Sequence, residues 1–177
     1  MIKAFFLDRD GVVNQDPHPE PYVLKWSAWR WMPGIFPLLE RIKRLGFLTV
    51  LVTSQKGVGK GLMPLADLQD IHHRLQEALG ELRFDAIHAY TGLPDCAWEP
   101  KPSPQMVRSA AETLGISLPD SWLLGDADRD IQMGRAAGVG TLVRLAGVSP
   151  VREAGDFLVR DLTGVMDLLA QPTEPAA

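Results

Sequence analysis

Short apolar segments alternate along this chain with segments of helical periodicity, and no other feature constrains the fold as strongly. Such alternation is typical of a parallel sheet that is covered by helices on both faces. We therefore predict an α/β fold, a Rossmann-like doubly wound parallel sheet with helices on both faces. The predicted strands cover residues 2–7, 47–53, 86–90, 122–124, 139–143 and, more weakly, 157–159, and the predicted helices cover 35–45, 63–79, 104–114, 127–137 and 161–170.

Length and charge narrow the class of protein. The 177 residues favour one domain, which we expect to span residues 1–170, with a disordered tail over 171–177. A formal net charge of −4 provides no general basic field, so no nucleic acid is expected to bind beyond a nucleotide substrate. No apolar run is long enough to cross a bilayer and no signal-peptide pattern is present, so we expect a cytoplasmic protein, a monomer or weak homo-oligomer.

Polar residues follow four of the predicted strands, at the points where these strands end. Ligands of open parallel sheets bind beyond the carboxyl ends of the strands, so residues far apart in sequence are expected to meet at one rim. Acids, hydroxyl groups and a lysine would converge there. The residues are Asp8, Arg9, Asp10 and Gly11 after the first strand, Thr53, Ser54 and Gln55 after the second, Lys101 after the third, and Asp126, Asp128, Arg129 and Asp130 after the fourth.

The acids and the lysine of this rim suit phosphoryl transfer, which needs a nucleophile, an acid/base, a counter-charge and usually a metal. Asp8 is the predicted nucleophile because it ends the central strand, and a carboxylate can attack phosphorus to form an aspartyl-phosphate. Asp10 is predicted to protonate the leaving oxygen and later to activate water. With Asp126 as a third acid, the oxygen donors favour Mg²⁺. Lys101 would neutralise the phosphoryl group, and the Thr53 hydroxyl would hold phosphate oxygens.

Four motifs stand in order along the chain: Asp8-x-Asp10-Gly11, Thr53 after an apolar strand, Lys101, and Gly125-Asp126-x-x-x-Asp130. Together they resemble the haloacid dehalogenase superfamily, subfamily III, from residue 4 to about residue 145. The resemblance implies that Asp8 is the nucleophile and Asp10 the acid/base. It also implies that Mg²⁺ is held by the Asp8 side chain, the Asp10 backbone carbonyl and Asp126, with Asp130 orienting the lysine or the metal's waters. Asp128 competes with Asp130 for that position, and the spacing favours Asp130.

A narrower resemblance concerns the segments DRDGVVNQD, VTSQKGVGKGLM, KPSPQM and LLGDADRDIQMGRAAGV. They are similar to the heptose-bisphosphate and histidinol-phosphate phosphatase branch, in which the positions of Arg9, Asn14, Ser54 and Gln55 line the active site. Lys60 stands where that branch has an arginine, and offers a point charge instead of a fork. The predicted phosphate- or substrate-binding residues are Arg9, Gly11, Asn14, Ser54, Gln55, Lys56, Lys60 and Arg129.

The chain departs from this branch in two places. Many members carry a Cys/His zinc loop before the motif lysine, whereas residues 88–101 contain a single cysteine, so we predict no structural zinc. The arginine that grips substrate in heptose-bisphosphate enzymes aligns with Pro100. Lys56, Lys60 or Arg129 would have to replace it.

Residues 14–32 and 92–100 are too short to form a folded lid, so we predict a capless core. Aromatic residues are concentrated in these two segments. They would either provide a wall for the leaving group or pack in the core. They are Tyr22, Trp26, Trp29, Trp31 and Trp98.

The sequence as a whole predicts a Mg²⁺-dependent phosphomonoester hydrolase that acts on a small phosphorylated metabolite. A sugar phosphate such as heptose 1,7-bisphosphate is the leading substrate, and histidinol phosphate or a nucleotide end-phosphate is the alternative. A phospho-accepting receiver domain is the alternative of another class, but receivers place the phosphorylated Asp after the third strand, which here ends at Tyr90. A non-catalytic phosphate-binding relative would require loss of Asp8 or Asp10, and both are present.

Overall fold

The computed structural model describes residues 1–170, and residues 171–177, for which a disordered tail is predicted, lie outside the described residues. Strands and helices follow one another in the order that the sequence predicts. The strands are β1 Lys3–Leu7, β2 Phe47–Ser54, β3 Ala86–Tyr90, β4 Trp122–Gly125, β5 Thr141–Leu145 and β6 Phe157–Val159. The α-helices are α1 Ile35–Arg44, α2 Leu65–Leu79, α3 Gln105–Leu114, α4 Asp128–Ala137 and α5 Leu162–Ala170.

All strand pairs are parallel, and the strands form one six-stranded sheet in the order β3-β2-β1-β4-β5-β6. The strand order reverses direction at β1, which pairs with β2 through Leu7 and Leu51 and with β4 through Leu7 and Leu124. This reversal is the topological switch point at which ligands bind in such sheets. The predicted α/β, doubly wound fold is therefore confirmed.

Both faces of the sheet are covered, because alternate side chains of β1 enter different cores. Phe5 and Leu7 belong to the core that also holds buried residues of α1, α2 and α5. Ala4 and Phe6 belong to a second core, which holds buried residues of α3 and α4. A strand buried on both faces reads as a continuous apolar run, as the opening of this chain does. The backbone that carries Asp8 is thus fixed from both sides.

Some element boundaries differ from the prediction. Strand β5 begins at Thr141 because the N–H of Gly140 is used in a hydrogen bond to the Leu118 carbonyl, 3.0 Å away, beside the start of the strand. Strand β2 continues through Ser54, which pairs with Tyr90 of β3. Thr53 therefore lies in the strand, one residue before its end.

The segments before α1 and after β3 contain no folded lid in the described chain, only one short 3-10 turn at Trp26–Ala28, as the capless prediction requires. Trp29 is buried in the first core and stacks on Trp26 at 5.2 Å between ring centroids. Trp98 stacks on His88 at 4.3 Å. Of the two alternatives for Trp29, packing in the core is therefore the correct one. None of the helices among residues 1–170 is long and apolar enough to cross a membrane.

Candidate active site

A polar cleft opens at the carboxyl edge of the sheet, where β1, β2 and β4 end side by side. The backbone N–H of Asp8 donates to the Leu124 carbonyl at 3.1 Å, which ties the first residue after β1 to β4. Loops from two other regions complete the walls of the cleft. The lining residues include Asp8, Asp10, Thr53, Ser54, Asp126 and Arg129 from the sheet edge, and Asp16, Glu20, Tyr22 and Ser149 from the loops.

Lys101 lies beneath this cleft and bridges two carboxylates. Its Nζ donates to Oδ1 of Asp8 and to Oδ1 of Asp130, at 2.7 Å in each case, and all three side chains are at least nine-tenths buried. Burial alone would oppose the charge of Lys101, but Asp130 and Asp8 outweigh it and raise the pKa of the ammonium group above its ordinary value. The lysine is therefore a fixed positive charge beside the proposed nucleophile.

The backbone at the start of α4 holds the Asp130 side chain in place. Its Oδ2 accepts the N–H of Ala127 at 3.0 Å, while Oδ1 accepts from Lys101. Asp128, the competing acid, points elsewhere: its Oδ1 accepts the N–H groups of Arg152 and Glu153, both at 3.1 Å. Of the two acids, Asp130 is the one that contacts the lysine.

Three buried carboxylates share the space around Lys101. One oxygen each from Asp8, Asp126 and Asp130 lies within 4.8 Å of the others. Burial, with help from the neighbouring acids, raises the pKa of Asp8 to about 6 and that of Asp126 to about 8. One ammonium group does not balance three carboxylates, so the cluster lacks positive charge. Oxygen donors in this arrangement fit a small divalent cation such as Mg²⁺.

Because Gly11 has no side chain, the Asp126 carboxylate fits beside it. A Cβ at Gly11 would overlap Oδ2 of Asp126, and the backbone there has φ +83°, a conformation that L side chains rarely adopt. Glycine is thus required at this turn for two separate reasons. The turn after β1 and the turn after β4 approach each other only because residue 11 has no side chain.

Asp10 is held by three side chains from behind the cleft. Its Oδ1 accepts from Arg9 Nε at 3.1 Å and from Asn14 Nδ2 at 2.9 Å, and its Oδ2 accepts from Gln55 Nε2 at 3.0 Å. Burial would raise the pKa of Asp10, but the Arg9 charge and these hydrogen bonds lower it below its ordinary value. Asp10 is therefore ionised in the resting site.

Arg9, Asn14 and Gln55, which the sequence predicts to bind phosphate or substrate, direct polar groups toward Asp10. All three side chains are fully buried, and their polar groups are turned toward Asp10 instead of the cleft. The physical reason is that a buried carboxylate must be satisfied by donors. They therefore hold in place an acid that lines the cleft.

The remaining predicted residues divide into two groups. Thr53, Ser54 and Arg129 line the cleft together with Asp8. Lys56 and Lys60 are exposed outside it, and Lys60 Nζ lies 3.3 Å from the Tyr22 hydroxyl.

Sequence reasoning missed Ser149. It lines the cleft from the loop that follows β5. The rule that ligands bind beyond strand ends applies to β5 as well and was the signal that would have found it.

Comparison with known proteins shows the family to which the chain belongs. The HAD-hydrolase-like family model matches residues 99–170. D-glycero-alpha-D-manno-heptose-1,7-bisphosphate 7-phosphatase of Burkholderia mallei is 32% identical, with 96% of this chain and 95% of that protein covered. D-glycero-beta-D-manno-heptose-1,7-bisphosphate 7-phosphatase of Helicobacter pylori is 37% identical over 77% of this chain and 80% of the relative.

A solved structure is similar over almost the whole chain. The D,D-heptose 1,7-bisphosphate phosphatase from B. bronchiseptica, complexed with magnesium and phosphate, has a TM-score of 0.81 and 31% identity, and the match covers 95% of this chain and 98% of that one. The fold and the site thus define a phosphatase. The chain belongs to the haloacid dehalogenase (HAD) superfamily, which confirms the resemblance predicted from its four motifs.

Proposed function

We propose that this enzyme is a Mg²⁺-dependent sugar-phosphate phosphatase that hydrolyses heptose 1,7-bisphosphate through an aspartyl-phosphate at Asp8. The observation that carries the chemistry is that Asp8 is paired with a buried lysine and lines one cleft together with Asp10. The substrate rests on the names of relatives at 32% and 37% identity. Those two relatives are named for the alpha and the beta substrate, so both anomers are candidates.

The metal in this proposal is Mg²⁺, held by the Asp8 side chain, the Asp10 backbone carbonyl and Asp126. The surplus of negative charge in the carboxylate cluster supports it, and so does the magnesium in the related B. bronchiseptica structure. When bound, the ion would shield the phosphate's negative charge from the carboxylates and would orient the phosphate relative to Asp8. Asp130, whose two oxygens are already bonded to Lys101 and to the Ala127 N–H, would act from behind the ligands.

The reaction would proceed in two displacements at phosphorus. Asp8 Oδ attacks the phosphorus, the bond from phosphorus to the sugar oxygen breaks, and Asp10 gives that oxygen a proton. Asp10 then takes a proton from water, which attacks the aspartyl-phosphate and releases inorganic phosphate and free Asp8. The resting Asp10 is ionised, but an arriving phosphate adds negative charge beside it and raises its pKa toward the protonated form. Lys101 neutralises charge throughout.

Recognition of the rest of the substrate would use the cleft's other side chains. We propose that Thr53 and Ser54 hold oxygens of the transferred phosphate, and that Arg129 takes the role of the arginine that Pro100 replaces. Arg129 lines the cleft, whereas Lys56 and Lys60 do not. Asp16 and Glu20, which line the same cleft, are suited to accept hydrogen bonds from sugar hydroxyl groups.

Residues 1–170 are proposed to form one catalytic domain, acting in the cytoplasm as a monomer or weak homo-oligomer, without structural zinc. Packing and hydrogen bonds hold the loop that precedes Lys101. His88 stacks on Trp98 and its Nδ1 lies 2.9 Å from the Met106 carbonyl, while the Cys96 thiol accepts the N–H of Thr91 at 3.4 Å. These contacts hold the loop by packing and hydrogen bonds.

The proposal is tested by a panel of phosphorylated metabolites with the purified protein and Mg²⁺. The panel contains both anomers of heptose 1,7-bisphosphate, histidinol phosphate and nucleoside monophosphates, with phosphate release as the readout. We expect the highest kcat/KM for one heptose anomer and no turnover in Asp8→Asn. A higher kcat/KM for another member of the panel would overturn the substrate assignment. Stable phosphorylation by acetyl phosphate, without turnover, would instead favour the receiver-like alternative.

A further inference from the structure

His72 of α2 reaches across to the turn after β1, where it contacts Arg9. Its Nε2 lies 3.2 Å from Arg9 Nη1. A guanidinium group has donors only, so Nε2 accepts this hydrogen bond and the ring proton is on Nδ1. His72 is therefore a neutral acceptor, and nothing in the four motifs includes it.

Arg9 divides its donors among three partners in different directions. Its Nε donates to Asp10 Oδ1 at 3.1 Å, its Nη2 donates to Gln55 Oε1 at 2.8 Å and to Asp10 Oδ2 at 3.3 Å, and its Nη1 meets His72. The side chain is fully buried, so water does not compete for these donors. With one partner on each side, the plane of the guanidinium group is fixed, and Asp10 is held against it.

We propose that His72 is a positioning residue for Asp10: by accepting from Arg9 Nη1 it fixes the guanidinium group that holds the acid/base carboxylate. The inference rests on the proposed function, since it takes Asp10 to be the acid/base. Asn14 and Gln55 hold the Asp10 oxygens directly, whereas His72 acts one contact further out. Burial keeps the pKa of His72 at about 3, so the ring stays a neutral acceptor at neutral pH.

The neighbouring residue provides a matched control. His73 lies on the same helix but is exposed, and its Nε2 lies 3.3 Å from Glu77 Oε1, four residues further along. A substitution at His73 changes the same residue type in the same turn of α2 without touching Arg9. Effects that reflect only the helix would therefore be seen at both positions.

The test compares His72→Gln, whose amide oxygen reaches about as far as Nε2, with His72→Asn, whose oxygen stops one carbon short. Steady-state hydrolysis of phenyl phosphate with Mg²⁺ provides kcat and KM, and thermal unfolding reports stability. We expect His72→Asn to lower kcat by about 10- to 100-fold, as loss of a supporting hydrogen bond does in comparable sites, with KM unchanged. His72→Gln should recover most of kcat, and His73→Asn should leave it at the wild-type level.

Three results would overturn the proposal. A folded His72→Asn with wild-type kcat would show that the contact does not matter. Equal losses of kcat in the Gln and Asn variants would show that the reach of the acceptor is irrelevant, and a drop in kcat that only follows the melting temperature would indicate a structural role. Asp10→Asn, measured in the same assay, separates failure of the His72 proposal from failure of the proposed function. Wild-type turnover in that variant would refute the acid/base assignment of Asp10 itself.

Discussion

Lys101 and Asp8 form a buried ion pair, with Nζ of the lysine 2.7 Å from Oδ1 of the aspartate. The two residues are 93 positions apart in sequence. Their contact joins the end of the central strand to the segment before α3, and Asp130 completes it from α4. The lysine thus holds one oxygen of Asp8, a residue that also lines the cleft.

Lys101→Met is expected to reduce kcat by about 100- to 1000-fold, because the charge that offsets the transferring phosphoryl group is lost. It also leaves Asp8 and Asp130 without their cation, which costs about 3–5 kcal/mol in the free energy of unfolding. Urea unfolding without Mg²⁺ measures that loss. Lys43→Met is the control, since the Lys43–Asp85 pair at 3.3 Å is partly exposed and contributes about 1 kcal/mol or less. Equal effects of the two substitutions would contradict the assignment.

Asp130→Ala and Asp128→Ala separate the two acids of the fourth motif. Asp130→Ala removes a contact to Lys101 and the bond to the Ala127 N–H, so we expect kcat to fall by about 10- to 100-fold. Asp128→Ala removes hydrogen bonds from Arg152 and Glu153 and an ion pair with Arg144 at 3.8 Å, and none of these contacts involves Lys101. We therefore expect kcat to stay within a few-fold of wild type. A larger loss of kcat in Asp128→Ala than in Asp130→Ala would show that Asp128, and not Asp130, is the functional acid of the motif.

Gly11→Ala is expected to displace the Asp126 carboxylate and so to weaken Mg²⁺ activation. The added methyl group would overlap Oδ2 of Asp126. Gly46→Ala is a matched control, because Gly46 also has a positive φ, +77°, but its Cβ would meet nothing within 4 Å. The Mg²⁺ concentration for half-maximal activity should rise only in the Gly11 variant. If both variants need the same Mg²⁺ concentration, Asp126 is not a metal ligand.

His72 should contribute to the acid sensitivity of the fold. Burial, reinforced by Arg9 and opposed by Asp10, lowers its pKa from 6.5 to about 3. A depressed pKa means that the neutral ring stabilises the folded state above pH 6.5, and that this contribution is lost as the pH falls toward 3. In His72→Gln the free energy of unfolding should fall less steeply in this window, by up to about 1.4 kcal/mol per pH unit. If the free energy of unfolding depends on pH in the same way in the variant and the wild type, the pKa of His72 is not lowered.

Much of the fold was predictable because its strands and helix ends carry local sequence signals. Phe5 and Leu7 alternate with Ala4 and Phe6 between two cores, so the strand appears as an unbroken apolar run. Glycine or proline then marks most helix ends, as Gly115 and Gly138 do after α3 and α4 with positive φ. These local signals need no knowledge of distant contacts.

The direction of the side chains at the site was less predictable. Arg9, Asn14 and Gln55 follow strands, as ligand-binding residues do, but they turn inward because the buried Asp10 needs donors. That need appears only once the burial of Asp10 is known. His72 carries no local signal at all, since it lies 63 positions from the arginine it contacts.

The central claim, that Asp8 captures the phosphoryl group, is tested most directly by trapping it in Asp10→Asn. With p-nitrophenyl phosphate the leaving group needs little protonation, so Asp8 is still phosphorylated, while the missing base slows hydrolysis of the intermediate. Acid quenching and mass spectrometry of the peptides should find the phosphoryl group on Asp8 of Asp10→Asn, and none in the Asp8→Asn/Asp10→Asn variant. Release of p-nitrophenol with no phosphorylated Asp8, or with the phosphoryl group on another residue, would contradict the account.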